Sequence, residues 1–266
     1  MKKRHTLFYN FIVCLARILF PKAETVYEEA PDPEPGVFVC NHSKIRGPAM
    51  MILDFKRPFR SWIISAAMEK RTVRSYAFHD VFNGDGRHAK WFWKLLSCIV
   101  GFLLPPLLKD ADMIPVYRDK RMLLTFRQSS DALKDGESMV IFAESPQVYS
   151  DYINKLQPGF VTLGAVHYRQ TGKKLKFYPV YCEKKNRKIA VGKPIEYDPS
   201  LPLDKASAAV CAHLEEGIDR MARSLKPHKP VRFLTKLWYS TYGQQYTDNP
   251  AAYWEMVEND SRFVRK

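Results

Sequence analysis

Short apolar runs and longer periodic ones alternate along this chain, and together they predict its elements. Residues 37–40, 60–65, 113–117, 139–142, 176–182 and 188–191 are rich in Val, Ile, Phe and Tyr and predict strands. Residues 49–55, 68–82, 119–134, 159–168 and 204–225 predict helices. In 119–134, Leu123, Leu124, Phe126 and Leu133 face inward and the charges face outward. Asp135-Gly136 ends that helix, Asn83-Gly84-Asp85-Gly86 makes a turn, and residues 183–187 form a basic hairpin tip. Strands alternating with helices imply an α/β fold, a mostly parallel central sheet flanked by helices. Residues 36–226 hold that domain. Residues 1–35 give an N-terminal amphipathic helix and a polar, proline-rich lead-in. Residues 227–266 give a helical tail with Phe233, Trp238, Tyr239, Tyr242, Tyr246, Tyr253 and Trp254.

Two stretches are more apolar than a sheet-covering helix needs. Lys2, Lys3 and Arg4 precede residues 7–20, which are apolar apart from Asn10 and Arg17. This stretch is shorter than the roughly 20 residues that span a bilayer, and no small-residue cleavage site follows it. It fits a helix in the plane of a membrane interface, basic flank at the headgroups, or a helix docked on its own domain. Residues 91–104, closed by Pro105-Pro106, are likewise short for a span. They fit a core helix or one dipping into the bilayer surface.

Charge narrows the partners. Lys and Arg number 42 against 28 Asp and Glu, a net charge of +14. Such an excess calls for an anionic partner: nucleic acid, a membrane surface or a phosphorylated substrate. No nucleic-acid-binding module is recognisable and the charge is spread along the chain, so nucleic acid is set aside. An apolar fraction of 46% excludes a disordered protein. The cysteines Cys14, Cys40, Cys98, Cys182 and Cys211 form no C-x-x-C pair. They are expected as buried thiols in a reducing compartment, with neither a disulfide framework nor a metal site.

The candidate chemistry centres on residues 37–48, where an apolar strand runs into Asn41-His42, a short polar loop follows, and Gly47-Pro48 opens a helix. A histidine at the exit of a central strand stands where open α/β sheets place their ligands. It reads as a general base or as a loop residue satisfied by a carbonyl. The rest of the chain adds a pattern: Ile114-Pro115-Val116-Tyr117-Arg118, then Ile141-Phe142-Ala143-Glu144, then Phe177-Tyr178-Pro179-Val180. In order and approximate spacing these four blocks, spanning about residues 36–198, resemble the glycerolipid acyltransferases. That family acylates glycerol 3-phosphate and lysophosphatidic acid at membranes.

The resemblance implies a role for each block and exposes the departures. The family's first block is His, four residues, then Asp; His42 matches, but Gly47 holds the Asp position. The second block ends in an Arg that grips the substrate phosphate, and Arg118 stands there. The third normally reads Phe-Pro-Glu-Gly-Thr-Arg; here residues 142–147 read Phe-Ala-Glu-Ser-Pro-Gln, keeping only Phe142 and Glu144. Acyl transfer needs a base, donors for the oxyanion and a cation for the acceptor's phosphate. His42 and Glu144 are therefore the expected catalytic residues, with Glu144 or Asp80 as a replacement carboxylate and Asp54 too distant. Arg118, Asn41, Ser43, Lys44 and Arg46 are expected to bind substrate. The implied co-substrate is acyl-CoA or an acyl group on acyl carrier protein, with no bound cofactor. The implied partners are a lipid acceptor and anionic lipids at the cytoplasmic membrane face. A catalytically impaired, lipid-binding relative is the alternative.

Overall fold

The computed structural model describes residues 5–30, 32–146, 151–231 and 235–263. Lys2, Lys3, Arg4, Gln147 and Phe233, named above, lie outside the described residues. The chain runs from α1 (Leu7–Leu19) into β1 (Glu24–Tyr27) and β2 (Val37–Cys40), then α2 (Arg46–Asp54) and β3 (Phe59–Ile64). Two one-turn helices follow, α3 (Ser65–Met68) and α4 (Val73–Tyr76), then a π-helical turn (Ala77–Val81) and α5 (Lys90–Asp110). Next come β4 (Ile114–Val116), α6 (Met122–Lys134), β5 (Ser138–Ile141) and α7 (Thr162–Thr171). The sheet is finished by β6 (Lys176–Glu183), β7 (Lys188–Val191) and β8 (Ile195–Glu196), and α8 (Leu203–Ser224) covers it. The tail holds α9 (Lys236–Trp238), α10 (Gln244–Asp248) and α11 (Pro250–Asn259).

The strands form one sheet in the order β1-β7-β6-β2-β5-β3-β4, with β8 also paired to β6. β2 sits between β5 and β6, parallel to both, with Val37 opposite Met139 on one side and Phe177 on the other. β3 and β4 extend the parallel set, while β7 and β8 run antiparallel to β6. The expected α/β fold with a mostly parallel, helix-flanked sheet is what forms.

Strand β2 is apolar at every position because both its faces are covered. Val37 and Val39 join the core shared with α6, α7 and α8 (Leu133, Leu163, Leu214). Phe38 and Cys40 point the other way, into the core under α2 (Met50, Met51). A third cluster, Trp238, Tyr242, Tyr253, Trp254 and Val257, packs the tail around its own aromatics and against Ile64 and Tyr76.

Three expectations change. Residues 24–27, expected as lead-in, form an edge strand paired with β7, Glu24 opposite Lys188. The single helix expected over 68–82 is broken: Thr72 Oγ1 donates to the Ala66 carbonyl, and a π-helical turn buries Phe78 and His79. The helix expected to close at Pro105-Pro106 continues to Asp110. A proline lacks an N–H and its ring crowds the carbonyl four residues back, yet the helix carries both prolines through to Asp110. One turn earlier, Gly101 packs so closely on α4 that a Cβ would sit 2.4 Å from Arg74 Cγ.

Helices α1 and α5 are joined at one end and turned outward. The Asp110 carboxylate accepts from the Thr6 backbone N–H and hydroxyl, each at 2.9 Å. At its other end α1 is tied to α2, where Arg17 donates to Asp54 at 2.7 Å and to the Leu53 carbonyl. Their exposed faces are apolar: Leu7 and Ile18 on α1 are 89% and 78% exposed, and Trp91 and Phe102 on α5 are 71% and 78% exposed.

Candidate functional site

The site grows from the carboxyl ends of β2 and β5. Immediately after β2, Asn41 is buried and fully engaged. Its Oδ1 accepts from the Cys182 N–H at 2.6 Å, and its Nδ2 donates to the Cys182 carbonyl at 3.2 Å and to Ser43 Oγ at 2.8 Å. Asn41 thus locks the loop to β6. Ser43, also buried, belongs to the same lock.

Ser43 and Lys44 both take left-handed backbone conformations, φ 43° and 57°. That is uncommon for residues with side chains and costs on the order of 1–3 kcal/mol each. The turn brings the Lys44 carbonyl back to the His42 imidazole, which also meets its own carbonyl. The ring is half-buried, edge-on to Phe142 at 5.4 Å between centroids. Burial depresses its pKa to about 4, more than the carbonyl contacts restore. A neutral, oriented imidazole results.

Glu144 reaches this loop from β5. The backbones of His42 and Asn154 act on its buried carboxyl, opposing the effect of burial, while its own backbone bridges to Leu156. Burial lifts its pKa to about 8. Glu144, expected as a catalytic residue, thus stands at the exit of β5 beside the loop that carries the His42 ring.

Gly47 explains the missing aspartate. It lies in the first turn of α2, its N–H donating to the His42 carbonyl at 3.2 Å. A Cβ there would come within 2.4 Å of the Asn41 oxygen, 2.8 Å of the His42 oxygen and 3.2 Å of the Phe142 ring. No side chain fits. The Lys44 carbonyl acts on the ring to raise its pKa, but carries no full charge to stabilise an imidazolium.

Arg118 leaves β4, which stands three strands from β2, about 14 Å along the sheet at ~4.8 Å per strand. Its guanidinium lies 3.4 Å from the centre of the Trp254 ring on α11. The residue is exposed, but desolvation of the guanidinium lowers its pKa to about 10, against the opposing influence of Tyr246, Glu258, Asp80 and Tyr253. Asp119, its sequence neighbour, pairs instead with Arg121 at 2.8 Å. Asp80, half-buried on the π-helical turn, acts electrostatically on Arg118, so it is a neighbour of Arg118 and not a partner for His42. One of its oxygens accepts from Tyr253 at 3.1 Å.

The two halves are bridged. Gln157 donates its backbone N–H to the Ala143 carbonyl at 2.8 Å, beside Glu144, and its side chain and Trp254 both act to lower the Tyr246 pKa against burial. Lys44 and Arg46 stand exposed beside the loop, without ion pairs among the described residues. Asp54 answers Arg17, well away from the imidazole. Among the described residues no group of three or more His, Cys, Asp or Glu could hold a metal ion. Trp254, Tyr246 and the Lys44 carbonyl carried no signal in the motif pattern; only the density of aromatics in the tail pointed toward the first two.

No family model matches this chain, and no curated protein matches it. Among solved structures it is similar to the 1-acyl-sn-glycerophosphate (LPA) acyltransferase PlsC from Thermotoga maritima. The identity is 11% and the TM-score 0.42, over 83% of this chain and 91% of that one.

Proposed function

We propose that this protein is an acyltransferase, moving a fatty acyl group from a thioester of coenzyme A or acyl carrier protein to a hydroxyl of a glycerophosphate or lysophospholipid acceptor. The observation that carries the reading is His42, a neutral imidazole oriented by a carbonyl at the exit of the central strand. An imidazole kept neutral at physiological pH is competent to take a proton. In the proposed reaction the acceptor hydroxyl gives its proton to His42 as its oxygen attacks the thioester carbonyl. The tetrahedral intermediate collapses with loss of thiolate, and the imidazolium returns the proton to sulfur. Arg118 supplies a cation for the acceptor's phosphate.

The exposed faces of α1 and α5 support a membrane surface as the place of this reaction. α5 is long and apolar enough to cross a membrane. It instead lies along the protein, burying its small side (Ser97, Gly101) and turning Trp91, Leu95, Ile99 and Phe102 outward. Such inside-out amphipathicity suits a lipid surface, and the net charge of +14 suits anionic headgroups.

The decisive experiment is consumption of acyl thioester by the purified protein with a panel of lysophospholipid and glycerophosphate acceptors. His42→Ala should reduce turnover by about 10²–10⁴-fold, the usual worth of a general base, with fold and vesicle binding unchanged. Equal turnover by wild type and His42→Ala would refute it. A second reading, a lipid-binding relative without catalysis, is favoured by one observation: the closure of the Gly47 position against any carboxylate.

A further inference from the structure

Unanswered positive charge gathers at one end of the sheet. Strand β6 runs parallel to β2, so the hairpin that follows β6 leaves the sheet at the same end as the His42 loop. Its tip carries Lys184, Lys185 and Arg187. Strand β1 starts beside that tip, the Glu24 N–H donating to the Arg187 carbonyl at 2.9 Å, and this brings Lys22 there. The linker after α8 folds onto the tip as well. Asn186 Nδ2 donates to the Lys226 carbonyl at 3.3 Å, and the Tyr181 hydroxyl meets His228 Nε2 at 2.8 Å. Lys226 and Lys229 thereby join the group. The neighbouring acids are spent: Glu24 pairs with Lys188, and buried Glu183 accepts the Asn186 N–H. Lys22, Lys184, Lys185, Arg187, Lys226 and Lys229 make no ion pair among the described residues. Cations crowded on so small a surface raise its potential and draw an anion.

What lies next to these cations identifies the carrier of the anion. The Lys184 ammonium sits 4.7 Å from the centre of the Phe20 ring at the end of α1, where Ile18 and Leu19 are exposed. The same pairing recurs in the His42 loop: Ile45, 71% exposed, stands between the exposed cations Lys44 and Arg46. An acidic protein surface would answer the charge and leave these apolar side chains in water. A lipid bilayer answers both, with acyl chains against the apolar groups and headgroup phosphates against the cations. We propose that Lys184, Lys185 and Arg187, with Lys22, Lys226 and Lys229, form a landing site for the headgroups of anionic phospholipids, and that it turns the end of the sheet carrying His42 toward the bilayer. The hairpin is firmly joined to that end. Cys182, two residues before Lys184, is held through both its N–H and its carbonyl by Asn41, the residue before His42. The site rests on the reading of a membrane surface as the place of reaction, and adds to it which lipid is bound and which way the molecule faces.

Flotation of the full-length protein with vesicles tests this without turnover. Phosphatidylglycerol mixed into phosphatidylcholine vesicles should tighten binding about tenfold or more over phosphatidylcholine alone, and added salt should reverse the gain. The triple variant Lys184→Gln, Lys185→Gln, Arg187→Gln should lose most of that gain and bind phosphatidylcholine as before, because these side chains hold no ion pair that the fold would miss. A control with the same change in charge comes from the opposite end of the sheet. Lys134 closes α6 ahead of β5, and Lys173 and Lys174 lie between α7 and β6. Replacing these three by Gln should leave the gain intact.

Equal losses in the two triple variants would show that net charge alone draws the protein to lipid, and would overturn the site. Full phosphatidylglycerol dependence in the hairpin variant would overturn it too, leaving these cations to an acidic protein. Hydrogen exchange of the wild type on the anionic vesicles reads the orientation and needs no variant to fold. Amides of residues 42–46 and 184–187 should slow, while those of 134–137 and 172–174 should not. Slowing confined to α1 and α5 would overturn the orientation. A wild type that binds neither vesicle would defeat the membrane-surface reading and this site with it. Binding that is lost in Leu7→Ser, Phe11→Ser, Ile18→Ser but indifferent to the hairpin would defeat this site alone.

Discussion

The His42 loop and the Arg118 corner are held together by opposite means. Around His42 the determining contacts are made by backbone: the Lys44 carbonyl on the ring, the His42 backbone on Glu144, and two carbonyls pressed against Gly47. Around Arg118 they are made by side chains: an indole under a guanidinium and a tyrosine on a carboxylate. Backbone-built geometry tolerates little, since any added atom displaces a peptide. Side-chain geometry degrades by degrees, because a related side chain recovers part of the contact.

The largest break in that contrast should come at Gly47. Gly47→Ala, and more so Gly47→Asp, forces a Cβ against the Asn41 and His42 carbonyls. Overpacking of this kind costs about 1–3 kcal/mol, occasionally more, and here it would displace the imidazole too. Thermal melts should show lowered stability and turnover should fall. Restoring the motif aspartate should therefore harm this protein. Gain of activity in Gly47→Asp would show that the loop opens more readily than its packing implies.

Arg118→Lys should be milder and graded. A point charge replaces a planar fork and loses the flat stacking on Trp254, so KM for a phosphorylated acceptor should rise about tenfold with kcat less affected. An equal loss with a phosphate-free acceptor would mark Arg118 as structural.

The smallest effect is the most diagnostic, because it isolates Glu144. A carboxyl whose folded pKa stands near 8, above its unfolded value of 4.5, holds a proton that the unfolded chain has released. Stability should therefore fall as pH rises through that interval. His42 opposes this below its ordinary 6.5, where the unfolded chain is protonated and the folded ring, at about 4, is not. Glu144→Gln should remove the downward slope between pH 6.5 and 8, measured by urea melts across pH. An unchanged slope would place its origin elsewhere, Asp80 being the next carboxyl with a raised pKa.

This division also explains what was legible in the sequence. The central strands were, because β2, β5 and β6 are buried on both faces and so carry unbroken apolar runs. β1 was not: it is a four-residue edge strand, half-exposed and with Glu24 in its ladder. The run through Pro105-Pro106 was hidden because a proline pair ordinarily ends a helix. At the site, the spacing of motifs placed His42, Glu144 and Arg118 at strand exits. Their partners were illegible for a physical reason: a carbonyl such as that of Lys44 has no letter of its own. Trp254 comes from a segment more than a hundred residues beyond Arg118, brought back only by the packing of the tail.

The tie between Arg17 and Asp54 bears on how this protein can be handled. The Asp54 side chain is only 3% exposed, accepts from Arg17, and also caps the Ala23 N–H at 3.0 Å. Helix α1 is thus a strut between α2, the helix that begins beside His42, and the exposed apolar face that α1 shares with α5. Cutting it away to obtain a shorter fragment would leave the buried Asp54 carboxyl without its cation and lower stability. A shortened chain that loses activity would then report on the strut and say nothing about lipid. Replacing Leu7, Phe11 and Ile18 by serine removes the exposed apolar face and keeps the strut, and that exchange separates any binding of vesicles by this face from the integrity of the fold behind it.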